Sequence, residues 1–209
     1  MITFFDTETT GLPKNWKARM HDVENWPRVI QLAWLMTDLT GQDIKRREVL
    51  IKPDGWTIPD GSDGKDASFW ITHGFNTQIS EKDGVPMADV LAEFIQDVEK
   101  TTYLVSHNMD FDHKVLGAEM IRYGQKSDHR PVRICTKDES TAFCKIPFAG
   151  RKDTRPWVKQ NYKWPKLEEL YVKLFGHDFE NKHQAGGDVT ALRDCFFELV
   201  NLNVIQLNA

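Results

Sequence analysis

The sequence predicts an α/β protein built on a mixed, five-stranded central sheet flanked by helices. Three observations predict it. Strand-like segments cluster first, at Ile2–Asp6, Val29–Thr37 and Ile44–Ile51. Helix and strand candidates then alternate, which places helices over a sheet. Finally, Gly41-Gln42 between the second and third strands suggests a hairpin-like turn, so the sheet begins antiparallel.

Each element has a local reason. The first three strands and the later pair Tyr103–Ser106 and Val132–Cys135 carry apolar or alternating residues. Between the first two strands, Lys14–Trp26 is polar and irregular and ends at Pro27. Pro53–Asp66 holds Gly55, Pro59, Gly61 and Gly64 and reads as a loop. Met87–Glu99 places Val90, Leu91, Phe94, Ile95 and Val98 at helical spacing behind Pro86, a residue suited to a helix start. Further helices are expected over Phe111–Tyr123, Leu167–Phe175 and Asp188–Leu202. The last sets Val189, Leu192, Phe196, Leu199 and Val200 on one side, after the breaker pair Gly186-Gly187.

With 209 residues the chain reads as a single domain, 1–209, able to bury a sizeable core. Hydrophobic content of 40% and charged content of 28% are those of an ordinary globular protein. No apolar stretch reaches membrane-spanning length, and the N-terminus lacks a basic-then-apolar leader pattern. Cys135, Cys144 and Cys195 are odd in number and lack CxxC spacing, so neither a disulfide framework nor a zinc site is expected. A reducing cytoplasm is the expected compartment. The formal charge of −4 argues against a generic basic nucleic-acid coat.

The chemistry begins at Asp6-Thr7-Glu8, which follows the apolar run Ile2-Thr3-Phe4-Phe5. Residues i and i+2 of a strand point the same way, so two carboxylates stand side by side. Like charges so placed are costly unless something positive joins them, and a hard divalent cation with oxygen ligands is the natural candidate. A surface turn is the bland alternative, because Thr-Gly-Leu-Pro follows. Two further acidic stretches, His107-Asn108-Met109-Asp110-Phe111-Asp112 and His183 with Asp188, adjoin a predicted strand end and a helix start.

Phe5-Asp6-Thr7-Glu8-Thr9-Thr10-Gly11-Leu12, His107-Asn108-x-x-Phe111-Asp112 and His183-x-x-x-x-Asp188 occur in that order. Together they resemble the three motifs of the DEDDh-type, DnaQ-like 3′–5′ exonucleases, a family that includes the epsilon proofreading subunit of bacterial DNA polymerase III. Pro27-x-x-Ile30-Gln31-Leu32-Ala33 and Thr72-His73-Gly74-Phe75 are secondary matches. The resemblance implies an RNase H-like fold and a metal-dependent phosphodiesterase releasing 5′-mononucleotides from 3′ ends. It implies that Asp6, Glu8, Asp112 and Asp188 hold two Mg²⁺ or Mn²⁺ ions, with His183 as general base. A tyrosine branch of the superfamily would put Tyr at position 184, which is Gln184 here. Asp110 competes with Asp112, and the resemblance favours the acid after the aromatic residue.

The same resemblance places Thr9, Gly11, Leu12, His73 and Phe111 around the terminal nucleotide. On the residues alone His73 is an ordinary loop histidine and Phe111 equally a core residue, while Asn108 is a candidate helix cap. Lys145–Lys166 interleaves Lys145, Arg151, Lys152, Arg155, Lys159, Lys163 and Lys166 with Trp157, Tyr162 and Trp164, against the single acid Asp153. That mixture suits a single strand, whose phosphates need neutralising and whose bases stack. The expected partner is nucleic acid with a free 3′ end, single-stranded DNA ahead of RNA, with association to a polymerase open. The competing function is a nucleic-acid-binding or scaffold protein on an inactivated nuclease fold.

Overall fold

The computed structural model describes residues 1–148, 162–180 and 182–207. In chain order these form β1 (Ile2–Thr9), a 3-10 turn (Val23–Asn25), β2 (Val29–Thr37), β3 (Asp43–Lys52), α1 (Ser68–Thr72) and α2 (Thr77–Asp83). Then come β4 (Val85–Pro86), α3 (Met87–Val98), β5 (Tyr103–Ser106), α4 (Met109–Arg122), β6 (Val132–Cys135), α5 (Thr136–Cys144), α6 (Leu167–Phe175) and α7 (Ala185–Asn201).

The sheet is mixed, with spatial order β4-β3-β2-β1-β5-β6. β2 runs antiparallel to both β1 and β3, whereas β5 lies parallel to β1, β6 to β5 and β4 to β3. The α/β architecture is as expected, but the sheet has six strands rather than five. The extra strand is the two-residue edge piece Val85–Pro86, too short to show any periodicity. β1 also runs three residues beyond Asp6, so the apparent turn residues Thr7 and Glu8 are paired strand, opposite Leu32 and Gln31.

Alternation along β1 assigns its two faces. Ile2 and Phe4 join a core with Val189, Leu192, Phe196 and Leu199 of α7. Phe5 points the other way, into a core with Trp34 of β2, Val90, Leu91 and Phe94 of α3, and Val115 and Leu116 of α4. β2 is buried at every position because both its faces are covered, which explains its loss of alternation. Phe4 meets Phe196 edge-on at 5.2 Å, and burial of each such ring stabilises the fold by about 2–3 kcal/mol. Asp6 and Glu8 continue the Ile2 and Phe4 face past the end of this packing. Among the described residues, no helix is long and apolar enough to cross a membrane.

Candidate active site

β1 and β5 are parallel, so their C-terminal ends open on the same edge of the sheet. β5 passes through His107-Asn108 into α4, which puts Asp112 in that helix's first turn. α7 arrives at the same edge with Asp188 in its own first turn. Both helix N-termini favour a negative charge there. The result is a cleft of about 220 Å³ walled by Asp6, Glu8, Asp112, Asp188, Glu168 and His183, with Thr7, His107, Asn108, Phe111 and Leu167 completing it.

Hydrogen bonds fix the acids individually. Thr7 Oγ1 donates to Asp112 Oδ1 at 2.7 Å and Ser106 Oγ donates to Asp112 Oδ2 at 2.6 Å. The His183 backbone N–H donates to Asp188 Oδ2 at 3.0 Å. The start of α7 is itself pinned to the sheet: Ala185 N–H donates to Gln31 Oε1 at 2.9 Å, and Arg46 Nη2 to the Gly186 carbonyl at 2.6 Å. A Cβ at Gly186 would lie 2.1 Å from Glu48 Oε2, so a larger residue there would have to displace the Glu48 carboxylate.

Burial dominates the electrostatics. It holds the Asp6 carboxyl well above the usual range, reinforced by the charges of Asp112, Asp188 and Glu8. Glu8 is pushed up to about 8 by burial and then by Asp188 and Asp112. Burial raises Asp188 to about 7 against the opposing His183 N–H bond. Asp112 rises only to about 6, because its two hydroxyl donors favour the charged form. Glu8, His183 and Asp188 present ligand atoms within 4.8 Å of one another. Carboxylate oxygens with one imidazole nitrogen, crowded and short of positive charge, fit a hard or borderline divalent cation.

His183 is delivered by a turn in the left-handed region, at φ +59°. Its ring lies 4.7 Å from that of His73 and 5.6 Å from that of Phe69, centroid to centroid. Burial, with His73 next, lowers its pKa from the ordinary value and favours neutral imidazole.

The remaining predicted residues divide. Phe111 lines the cleft and packs against Trp16 at 5.7 Å. His73 touches His183 but its Nδ1 is committed to the Phe69 carbonyl at 2.7 Å. Thr9 bonds the Gly11 carbonyl at 2.8 Å, and its own carbonyl receives Trp70 Nε1 at 2.9 Å. Gly11 adopts φ +147° with open space around it, and Leu12 is 73% exposed. Thr9, Gly11, Leu12 and His73 are not among the residues that wall the cleft. Asp110 pairs outside it with Lys114 at 2.9 Å.

Asn108 does not cap α4 with its side chain as expected: its Oδ1 instead accepts Lys137 Nζ at 2.6 Å. Of the basic segment, Arg151, Lys152, Asp153, Arg155, Trp157 and Lys159 lie outside the described residues.

Sequence reasoning missed Glu168, whose Oε1 stands 3.8 Å from His183 Nε2. In sequence it is half of a Glu-Glu pair on an ordinary helix, and only the fold separates the two. Glu169 turns out to Lys163 at 2.6 Å, while Glu168 turns into the cleft. Also unassigned was the role of His107. Its Nε2 donates to the Pro165 carbonyl at 3.0 Å, leaving Nδ1 to accept from Thr136 Oγ1 at 3.0 Å. Burial lowers it to about 4, so it is a neutral clamp tying the end of β5 to the segment before α6.

No family model matches the chain, and no curated protein matches it. Solved structures do. Exonuclease I, in a structure described as suggesting how processivity is achieved, superposes with a TM-score of 0.69 at 21% identity, over 96% of this chain and 40% of that one. E. coli exonuclease I in complex with a dT13 oligonucleotide gives 0.68 at 22% identity, over 96% and 40%. The zinc-bound form of an E. coli exonuclease I–single-stranded DNA complex gives 0.67 at 22%, over 97% and 40%. The chain thus spans about 40% of the length of these proteins. At such identity the likeness is one of architecture: the chain has the RNase H-like α/β fold of the part of exonuclease I that it matches.

Proposed function

We propose that the chain is a divalent-cation-dependent 3′–5′ exonuclease of the DEDDh type, removing 5′-mononucleotides from single-stranded DNA, with RNA as the second candidate substrate. One observation carries this reading. Four carboxylates from three distant segments meet beside an imidazole, at the strand ends of a fold shared with exonuclease I. The oligonucleotide and zinc named for those neighbours agree with it.

Asp6, Glu8, Asp112 and Asp188 would hold two Mg²⁺ or Mn²⁺ ions, which when bound supply Lewis-acid polarisation of the scissile phosphate and activation of water. The protein's own residues do the rest. Thr7 and Ser106 keep Asp112 aimed and charged. The lowered pKa of His183 leaves a ring nitrogen free to take the proton of the attacking water. Glu168 then faces the imidazolium so formed. Phe111 and Asn108, which line the cleft, would form the wall against the terminal nucleotide, and Thr9, Gly11, Leu12 and His73, which do not line it, are its further proposed contacts. Without bound cations the acidic cleft repels phosphate, so binding of strand and of metal are coupled.

A 5′-labelled single strand incubated with the protein and Mn²⁺ or Mg²⁺ should shorten one nucleotide at a time from its 3′ end. An intact strand at neutral and mildly alkaline pH, with folded and metal-replete protein, eliminates the proposal. A strand retained but never shortened favours the inactivated, nucleic-acid-binding alternative.

A further inference from the structure

We propose that Trp164 and Lys137 form a stacking platform for a nucleobase of single-stranded nucleic acid, on the 5′ side of the nucleotide being removed. The inference rests on the nuclease reading above for its direction, because a 3′ end seated among the acids leaves the rest of the strand outside.

The tryptophans of this fold are not alike. Trp26 and Trp34 are buried, whereas Trp164 is 55% exposed. An indole left in water is usually loosely held, but this one is framed. Lys137 Nζ sits 4.6 Å from its ring centroid, and that ammonium is itself anchored on Asn108 Oδ1 at 2.6 Å. The Lys137 backbone N–H donates to the His107 carbonyl at 3.1 Å. The next residue, Pro165, is buried and its carbonyl is held by His107 Nε2. Both anchors, Asn108 and His107, belong to the wall of the acidic cleft. The platform is therefore fixed to the site rather than to the surface at large.

A fixed aromatic ring with a cation held over one face and more than half of its surface exposed matches a nucleotide in two respects. The ring offers a sequence-tolerant stacking surface, and the ammonium offers a counter-charge to the phosphate beside that base. Preorganisation means little ordering entropy remains to be lost on binding. The acids in the cleft and the cation outside it also set a polarity along the strand: negative at the 3′ terminus, positive behind it.

The test is binding of fluorescein-labelled dT8 to the full chain, with Ca²⁺ in place of Mg²⁺ so that the strand survives. Trp164→Ala should weaken dT8 about tenfold, as loss of one base stack does, and Trp164→Phe should recover most of it. An eight-unit strand with abasic spacers behind its 3′ nucleotide should lose less than about twofold on the same substitution. Lys137→Met should reduce the salt slope by about one, the signature of one phosphate contact. Unchanged dT8 affinity in Trp164→Ala, or equal losses on base-bearing and abasic strands, overturns the platform. Turnover of dT8 by the unmodified protein with Mn²⁺ separates the two readings. Turnover without a Trp164 effect sinks the platform alone, and a Trp164 effect without turnover sinks the nuclease reading alone.

Discussion

Helix α4 buries two carboxylates seven residues apart, and they are treated in opposite ways. Glu119 is 1% exposed and sits between two guanidinium groups, Arg28 at 2.8 Å and Arg122 at 2.9 Å, with the Val29 N–H at 3.2 Å. Asp112 is 3% exposed and receives two hydroxyl donors, while the charges around it are Asp6, Glu8 and Asp188. A buried acid is tolerable only when its charge is met or given up. Glu119 is met, and it locks α4 onto the start of β2. Asp112 is not met by any cation among the described residues. The same helix thus carries one acid that closes a structure and one that leaves a charge for something else to balance.

Replacing each acid by its amide separates these roles most sharply. On the proposed function, Asp112→Asn should lower exonuclease turnover by at least ~10²-fold, because it removes one of the charges proposed to hold the cations. It should also leave the metal-free protein as stable or more so near pH 8, having relieved a repulsion. Glu119→Gln should do the reverse. Two arginines lose their counter-charge, destabilising the fold by about 3 kcal/mol, while turnover per folded molecule stays within a few-fold. Urea titration and single-turnover assays on both variants read this out. Asp110→Asn belongs with neither, since its partner is Lys114 at the surface, and should keep most activity. If Asp110→Asn abolished turnover and Asp112→Asn spared it, the acid assigned to the cleft would be the wrong one.

The next effect down concerns the imidazole. Replacing His183, the proposed general base, by Ala should cost roughly 10²-fold or more in turnover. Glu168→Gln should cost about tenfold in kcat with little change in KM, if its charge acts on the imidazolium across the 3.8 Å gap. In a His183→Ala background the Glu168 change should then add nothing, because coupled residues are non-additive. Full additivity would show that Glu168 acts on something other than His183.

That two-acid contrast was only half legible in the sequence. Asp6 and Glu8 stood out as paired carboxylates at the end of an apolar run, whereas the choice of Asp112 over Asp110, and of Asp188, came from the ordered motifs that resemble the exonuclease family. Glu168 and the Arg28–Glu119 lock did not, because their meaning depends on which residues the fold brings near. Trp164 was noted for composition, while its fixing by Lys137 depends on α5. That helix, Thr136–Cys144, is a polar stretch of nine residues with too few apolar positions to announce itself. α1 and α2, at five and seven residues, escaped for want of length. Long amphipathic elements were readable from local pattern, whereas short or polar ones are held by tertiary contacts.

The smallest effect is thermodynamic, and it probes the unmet charge without any substrate. Asp112, Asp188 and Glu8 titrate near 6, 7 and 8 in the folded chain, and Asp6 is raised too. In the unfolded chain all four would titrate near 4. Between about pH 4 and 8 the folded state therefore holds protons that the unfolded state has released, so stability from these groups is present at low pH and lost as pH rises through 6 to 8. The paired acids run the other way: Glu93, Asp97 and Glu169 are lowered by their cationic partners, and protect the fold until the pH falls through their own range. The metal-free protein should accordingly lose Tm between pH 6 and 8.5, by roughly 2–4 °C for each kcal/mol of repulsion uncovered. Saturating Mn²⁺ should restore it, and its gain should be larger at pH 8.5 than at pH 6, where the cation must first displace protons. Asp112→Asn should shrink both the loss and the gain, whereas Glu119→Gln should lower Tm at every pH without changing either difference. A Mn²⁺ gain that is equal at the two pH values would mean that the carboxyls do not share protons in one cleft.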